Sequence, residues 1–220
     1  MSALPAAVLW DMDGLLVDSE PLWTVAETEL AGRLGGEFSP ELKAAIVGTR
    51  LDVAVPRILR WYGRPDTSTE VDAASRWLLG RMVELFAAPL PLMPGAAELL
   101  RELTEAAVPM ALVSSSYRVL VDAVLAHGLG PFAVRIGGDE LPLAKPDPFP
   151  YAEAARRLGV DPRQCVVLED SPAGVASGLG AGCVVLAVPS VTGVVFPPQA
   201  GLTERATLRD VTARDLAGLT

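Results

Sequence analysis

Residues 6–10, Ala-Ala-Val-Leu-Trp, form an apolar run that stops on Asp11, and Met12-Asp13-Gly14 follow at once. A short apolar run bounded by charge reads as a strand buried on both faces. Side chains alternate along a strand, so Asp11 and Asp13 leave its tip on the same side. Gly14 then lets the chain turn without a Cβ penalty. Two carboxylates at the tip of a buried strand are costly unless they are paired or hold a cation. Ligands of parallel α/β sheets bind at that edge. Two readings stand open for this stretch taken alone: a metal-assisted catalytic site, or Asp-rich turn chemistry after a strand.

Beyond Asp18 the period changes from strand to helix. Ser19 is placed to cap a helix with Pro21 in its first turn, and Leu22, Val25, Ala26 and Leu30 recur at helical spacing up to Gly35-Gly36. Further helices are predicted over 39–48, over 52–62 with Pro56 in or near the first turn, and from Ser68 or Thr69 to about residue 88. Residues 89–94 hold three prolines and lead into Gly95, which ends helical structure. From there strand and helix alternate. Helices are expected over 96–106, 119–127, 148–158 and 173–179, and strands over 109–113, 133–136, 165–168 and 183–188. A last strand over 208–211 precedes a helix from Ala213, and 191–205 reads as a loop near the sheet edge. This alternation implies a parallel sheet with helices on both faces, and residues 17–88 read as a helical insertion after its first strand.

The chain is 220 residues long and 50% hydrophobic, enough for one large domain or a core with a smaller inserted one. No apolar run approaches the roughly 20 residues of a membrane span. The N-terminal run lacks a basic flank and ends in aspartates, unlike a secretory signal. A net charge of −9 argues against a nucleic-acid surface. Cys165 and Cys183 each open a strand-like run and read as reduced core thiols of a cytoplasmic protein. With no Cys-x-x-Cys and a single histidine, His127, read as a surface residue at a helix end, zinc is not indicated.

Three predicted strands end on groups that handle anions or metals: Asp11 and Asp13, then Ser114, then Glu169 and Asp170. In a parallel sheet these ends share one edge. Four acidic groups there repel one another unless a cation is bound, and Mg²⁺ suits one or two carboxylates plus a phosphate. Lys145 arrives from the loop before the 148–158 helix; it and Lys43 are the only lysines. By itself Lys145 also fits an ordinary surface loop. Together the set supports phosphoryl transfer. One carboxylate attacks phosphorus, a second two residues on moves a proton, and Mg²⁺ and Lys145 offset the charge of the phosphoryl oxygens. Ser114 and nearby backbone N–H groups cradle those oxygens.

Four motifs in order carry a resemblance: Asp11-Met12-Asp13-Gly14 with its continuation to Glu20, Leu112-Val113-Ser114-Ser115-Ser116, Lys145-Pro146-Asp147-Pro148, and Leu168-Glu169-Asp170-Ser171 followed by Ala173-Gly174. Through them the chain resembles the haloacid dehalogenase superfamily, in its β-phosphoglucomutase-like branch of sugar-phosphate phosphatases. Ser19-Glu20-Pro21-Leu22-Trp23 looks most like the 2-deoxyglucose-6-phosphate phosphatases. The resemblance implies an α/β fold, with a Rossmann-like three-layer catalytic core over 1–16 and 89–220 and a helical cap over 17–88. It implies Asp11 as nucleophile and Asp13 as general acid/base. Mg²⁺ would be held by the Asp11 carboxylate, the Asp13 backbone carbonyl and the Asp170 carboxylate, with Glu169 acting through a water. Ser114, Ser115 and Lys145 would bind the phosphoryl group, and Glu20, Trp23 and Arg50 are candidate substrate contacts from the cap. For Trp23 a place in the cap's own core, and for Arg50 a solvated turn, are the competing readings.

The expected enzyme is a monomeric, Mg²⁺-dependent phosphatase of a small phosphate ester. Dehalogenases and phosphonate hydrolases of the superfamily lack a second Asp where Asp13 stands. Phosphosugar mutases of the branch, the nearest competitor, carry histidine where Trp23 stands. A relative that binds phosphorylated ligands without turnover is the reading from another class.

Overall fold

The computed structural model describes residues 4–191 and 193–219. Residues 1–3, 192 and 220 belong to the segments 1–16, 191–205 and 89–220 drawn from the sequence and lie outside the described residues. Among the described residues six strands form one sheet: β1 (Ala7–Trp10), β2 (Met110–Val113), β3 (Val134–Ile136), β4 (Cys165–Glu169), β5 (Val184–Ala187) and β6 (Leu202–Glu204). Their order is β3-β2-β1-β4-β5-β6, and every neighbouring pair is parallel. The opening strand therefore sits near the centre of the sheet.

Alternation along the strands sorts the core into two layers. Val8, Trp10, Leu112, Val166, Leu168 and Leu186 join one cluster; Ala7, Leu9, Val113, Val167 and Val185 join the other. The first layer also receives α5 (Ala96–Glu105), α6 (Arg118–Leu125) and α9 (Ala213–Ala217). The second is closed by α7 (Phe149–Leu158) and α8 (Pro172–Gly180). This is the doubly covered parallel sheet expected from the alternation.

Between β1 and α5 run four helices, α1 (Glu20–Leu34), α2 (Pro40–Ile46), α3 (Leu51–Trp61) and α4 (Ser68–Phe86). Their buried stripes, including Leu42, Val55, Ile58, Leu78 and Met82, are continuous with the first layer of the core. Ser39 and Thr67 cap α2 and α4 through their side chains. Pro56 lies in the second turn of α3, deeper than the sequence suggested. The helix runs on past it; Asp52, whose carbonyl loses the missing donor, is exposed. His127 is exposed just past α6, and its Nε2 is 2.6 Å from the Phe86 carbonyl at the end of α4.

One strand assignment is corrected. Residues 208–211 form a turn, closed by the Val211 amide on the Leu208 carbonyl, and they bury Leu208 and Val211 against the core. The sixth strand is Leu202–Glu204, inside the stretch read as loop. It is three residues long, lies at the sheet edge and leaves its side chains partly or fully exposed, so it carries no apolar period to detect.

Leu112 is fully buried in β2 beside the central strand. Leu112→Ala should lower unfolding free energy by about 2–5 kcal/mol in urea titrations. Val195→Ala, at a side chain 76% exposed, should stay within about 0.5 kcal/mol.

Candidate active site

Register brings the site together. Trp10 of β1 is level with Leu112 of β2 and Leu168 of β4, so Asp11 emerges between Val113 and Glu169. Lys145 closes that row. Its Nζ donates to Asp11 Oδ1 at 2.5 Å, to Glu169 Oε1 at 2.7 Å and to the Val113 carbonyl at 2.9 Å. All three ammonium protons are thus used at the tips of three adjacent strands, and the lysine side chain is only 4% exposed. The surface-loop alternative for Lys145 is excluded.

Glu169 is fully buried. Its Oε1 also accepts from Tyr151 Oη at 2.9 Å, and its Oε2 accepts from the Asp170 amide and from the Ser171 amide and hydroxyl. These donors fill the carboxylate's acceptor capacity. Gly174, at the start of α8, lies directly against it, and a Cβ there would strike the Glu169 carboxylate. Gly14, at φ +83°, leaves the same clearance beside Asp170 and Ser190.

Asp13 is held by serines on both oxygens: Ser19 donates to Oδ1 at 2.6 Å, and Ser114 and Ser116 donate to Oδ2 at 3.1 and 2.8 Å. Ser19 occupies the N-cap position of α1 without capping it; its hydroxyl goes to Asp13 instead. Ser114 is buried and its Oγ also accepts from the Ser116 amide. Ser190, just past β5, donates to Asp170 Oδ2 at 2.5 Å.

Negative charge exceeds positive at this edge. Burial, with Glu169, Asp170 and Asp13 nearby, pushes the Asp11 carboxyl well up despite Lys145. Burial and Glu169 push Asp170 up to about 7. Burial opposes ionisation of Glu169 as well, but Lys145 and its hydrogen bonds hold it below the usual carboxylate range. Asp11, Glu169 and Asp170 each offer an oxygen within 4.8 Å of the others'. An all-oxygen donor set with surplus negative charge fits a hard divalent cation such as Mg²⁺.

A cleft of about 540 Å³ opens from this cluster toward α1–α4. Asp11, Asp13, Ser115, Lys145 and Asp170 line it, and so do Glu20, Trp23 and Arg50. Arg50 precedes α3 and donates to Asp52 at 3.1 Å. Ser116 stands in the 112–116 motif with no role of its own assigned from the sequence, and Tyr151, Ser190 and Glu27 lie outside every motif. Ser116 had a signal, being two residues past Ser114, and so did Ser190, which follows a strand ending on the same edge. Tyr151 and Glu27 had none, since their partners are distant in sequence.

The chain belongs to the haloacid dehalogenase-like hydrolases, whose family pattern it matches over residues 5–182. It is 33% identical over 218 residues to hexitol phosphatase B of Escherichia coli K12, covering 97% of this chain and 94% of that one. Among solved structures it is similar to CbbY from Rhodobacter sphaeroides in complex with phosphate, with TM-score 0.82, 26% identity and 94% and 96% of the two chains covered. A β-phosphoglucomutase from Clostridium difficile shares the fold at TM-score 0.80 and 18% identity, over 98% and 97%. No helix among the described residues is long and apolar enough to cross a membrane.

Because Asp170 holds its proton in the folded state up to about pH 7, against 3.8 ordinarily, the metal-free fold loses stability as pH rises through that window. Mg²⁺ should therefore raise the Tm more at pH 8 than at pH 5.5 in calorimetric scans. Asp170→Asn should remove most of that response.

Proposed function

We propose that the protein is a Mg²⁺-dependent phosphomonoesterase that hydrolyses a small phosphorylated sugar or polyol through an aspartyl phosphate on Asp11. The observation that carries this reading is Asp11 itself. It sits at a buried strand tip, is gripped by Lys145, and faces a cleft large enough for a sugar phosphate. Membership of a hydrolase family and similarity to a hexitol phosphatase support it.

In this reading an Asp11 oxygen attacks phosphorus and the bond to the leaving alcohol breaks. Asp13, oriented by its serines, gives a proton to the leaving oxygen and then takes one from the water that cleaves the acyl phosphate. Lys145 offsets charge on the phosphoryl oxygens, and the Ser114–Ser116 turn cradles them, with the Ser114 hydroxyl shared with Asp13. The Asp11 and Asp170 carboxylates and the Asp13 backbone carbonyl would hold Mg²⁺ with Glu169 behind them, and the ion would supply further charge neutralisation at phosphorus. Residues 17–88 act as a cap over the core formed by 1–16 and 89–220, excluding water when the site is filled. Glu20, Trp23 and Arg50 contact the part of the substrate beyond the phosphate. The protein acts as a cytoplasmic monomer; its two buried free cysteines suit a reducing compartment.

Phosphate release should be measured across hexose 6-phosphates, β-glucose 1-phosphate, glycerol phosphates and an aryl phosphate, with Mg²⁺ and with chelator. Chelator-sensitive release, lowered by at least about a thousandfold in Asp11→Asn, is expected. Isomerisation of β-glucose 1-phosphate without release would make the enzyme a mutase. Binding without turnover of any ester would make it a phospho-ligand receptor.

A further inference from the structure

The cleft contains a second charged cluster, remote from the sheet edge. Glu20, Trp23 and Glu27 lie at helical spacing on α1, and all three line the cleft. Glu27 stands seven residues beyond Glu20, roughly 10 Å further along the helix from the Ser19–Asp13 contact. Lys43 of α2 lies behind the two carboxylates, with its Nζ 2.7 Å from Glu20 Oε2 and 2.9 Å from Glu27 Oε2. Glu27 is only 8% exposed. The helices α2–α4 add mostly apolar lining to the cleft, including Ile46, Ala54, Ile58 and Leu78, together with Thr49 and Arg50.

Stability does not explain this arrangement. Burying an ion pair among apolar groups is commonly no better than a hydrophobic pair of the same volume, and burial pushes the Glu27 carboxyl up despite Lys43. The geometry instead leaves acceptors facing the cavity. Lys43 donates a hydrogen bond to Glu27 Oε2 but pairs with Glu20 only by charge, leaving Glu20 Oε2 buried without a hydrogen-bond partner, and among the described residues no protein donor bonds Oε1 of either. Two carboxylates against one ammonium leave a net negative charge, and the cap's other cation in the cleft, Arg50, is already paired with Asp52. Such a surface accepts hydrogen bonds from hydroxyls and repels a second phosphate or a carboxylate. Trp23, between them on the helix, offers a flat apolar face to the carbon skeleton.

We infer that Glu27, with Glu20 and Lys43, is a specificity-determining site that selects phosphate monoesters whose far end is a neutral, polyhydroxylated chain of about hexose length. This rests on the phosphomonoesterase reading above and names the substrate class for it. Along α1 Glu27 stands about 10 Å beyond Glu20, too far for a two-carbon phospho-acid, and the surplus carboxylate selects against a second phosphate.

The test compares kcat/KM of the full-length enzyme with Mg²⁺ for sorbitol 6-phosphate, fructose 1,6-bisphosphate and p-nitrophenyl phosphate. The wild type should prefer the polyol monophosphate to the bisphosphate by at least about tenfold, the scale of one hydrogen bond to a charged group. Glu27→Gln should lower the ratio of polyol to aryl phosphate turnover about tenfold, mainly through KM, and narrow the gap to the bisphosphate. Glu20→Gln, at a more exposed position, should move both ratios the same way and serves if Glu27→Gln folds poorly. Equal loss on all three substrates in both variants, or unchanged ratios, would overturn the inference and leave the phosphatase standing. A wild type that hydrolyses none of the three would overturn both.

Discussion

One ammonium group organises the catalytic edge. Lys145 Nζ bonds Asp11 at the tip of β1, the Val113 carbonyl at the tip of β2 and Glu169 at the tip of β4. The parallel register sets those three tips level. A buried lysine with three acceptors stays charged, because losing its proton would leave two carboxylates without a counter-charge. Each remaining feature of the edge follows from that anchor. Tyr151 and the backbone amides complete Glu169, Gly174 makes room for it, and Asp170 is left to turn outward toward the cleft.

The charges are deliberately unequal. Four carboxylates meet one lysine, and burial together with that surplus raises the proton affinity of Asp11 and Asp170. A bound divalent cation would relieve that surplus without needing a rigid cage. Asp13 takes no part in the lysine's network. Three serines hold it, two from the turn after β2 and one from the start of α1. The inserted helices therefore reach Asp13 through Ser19 as well as lining the cleft.

Much of this was legible in residue order. The apolar run ending on Asp11, the serine turn after residue 113, Lys145 before its helix and the Glu169-Asp170 pair each announce a strand end with unusual polarity, and parallel topology requires those ends to share an edge. The helical insertion was equally readable, because four amphipathic segments stand between one buried strand and the next. Two local signals misled. Ser19 has the residue type and place of an N-cap, yet its hydroxyl is used by Asp13. Leu208 and Val211 look strand-like because they are apolar, but they plug the core from a turn, while the edge strand Leu202–Glu204 needs only backbone pairing.

The sequence by itself determined the class of fold, the sheet edge where the polar strand ends meet and the residue types gathered there, since all of these follow from local period and from the ends of strands. Tertiary structure alone decided which group each side chain serves. The saturation of Glu169 by Tyr151, the Ser190 bond to Asp170 and the Lys43 bridge between Glu20 and Glu27 join residues far apart in the chain. Hydrogen bonds act over about 3 Å and depend on direction. No pattern along the sequence encodes which distant partners packing will bring within that reach.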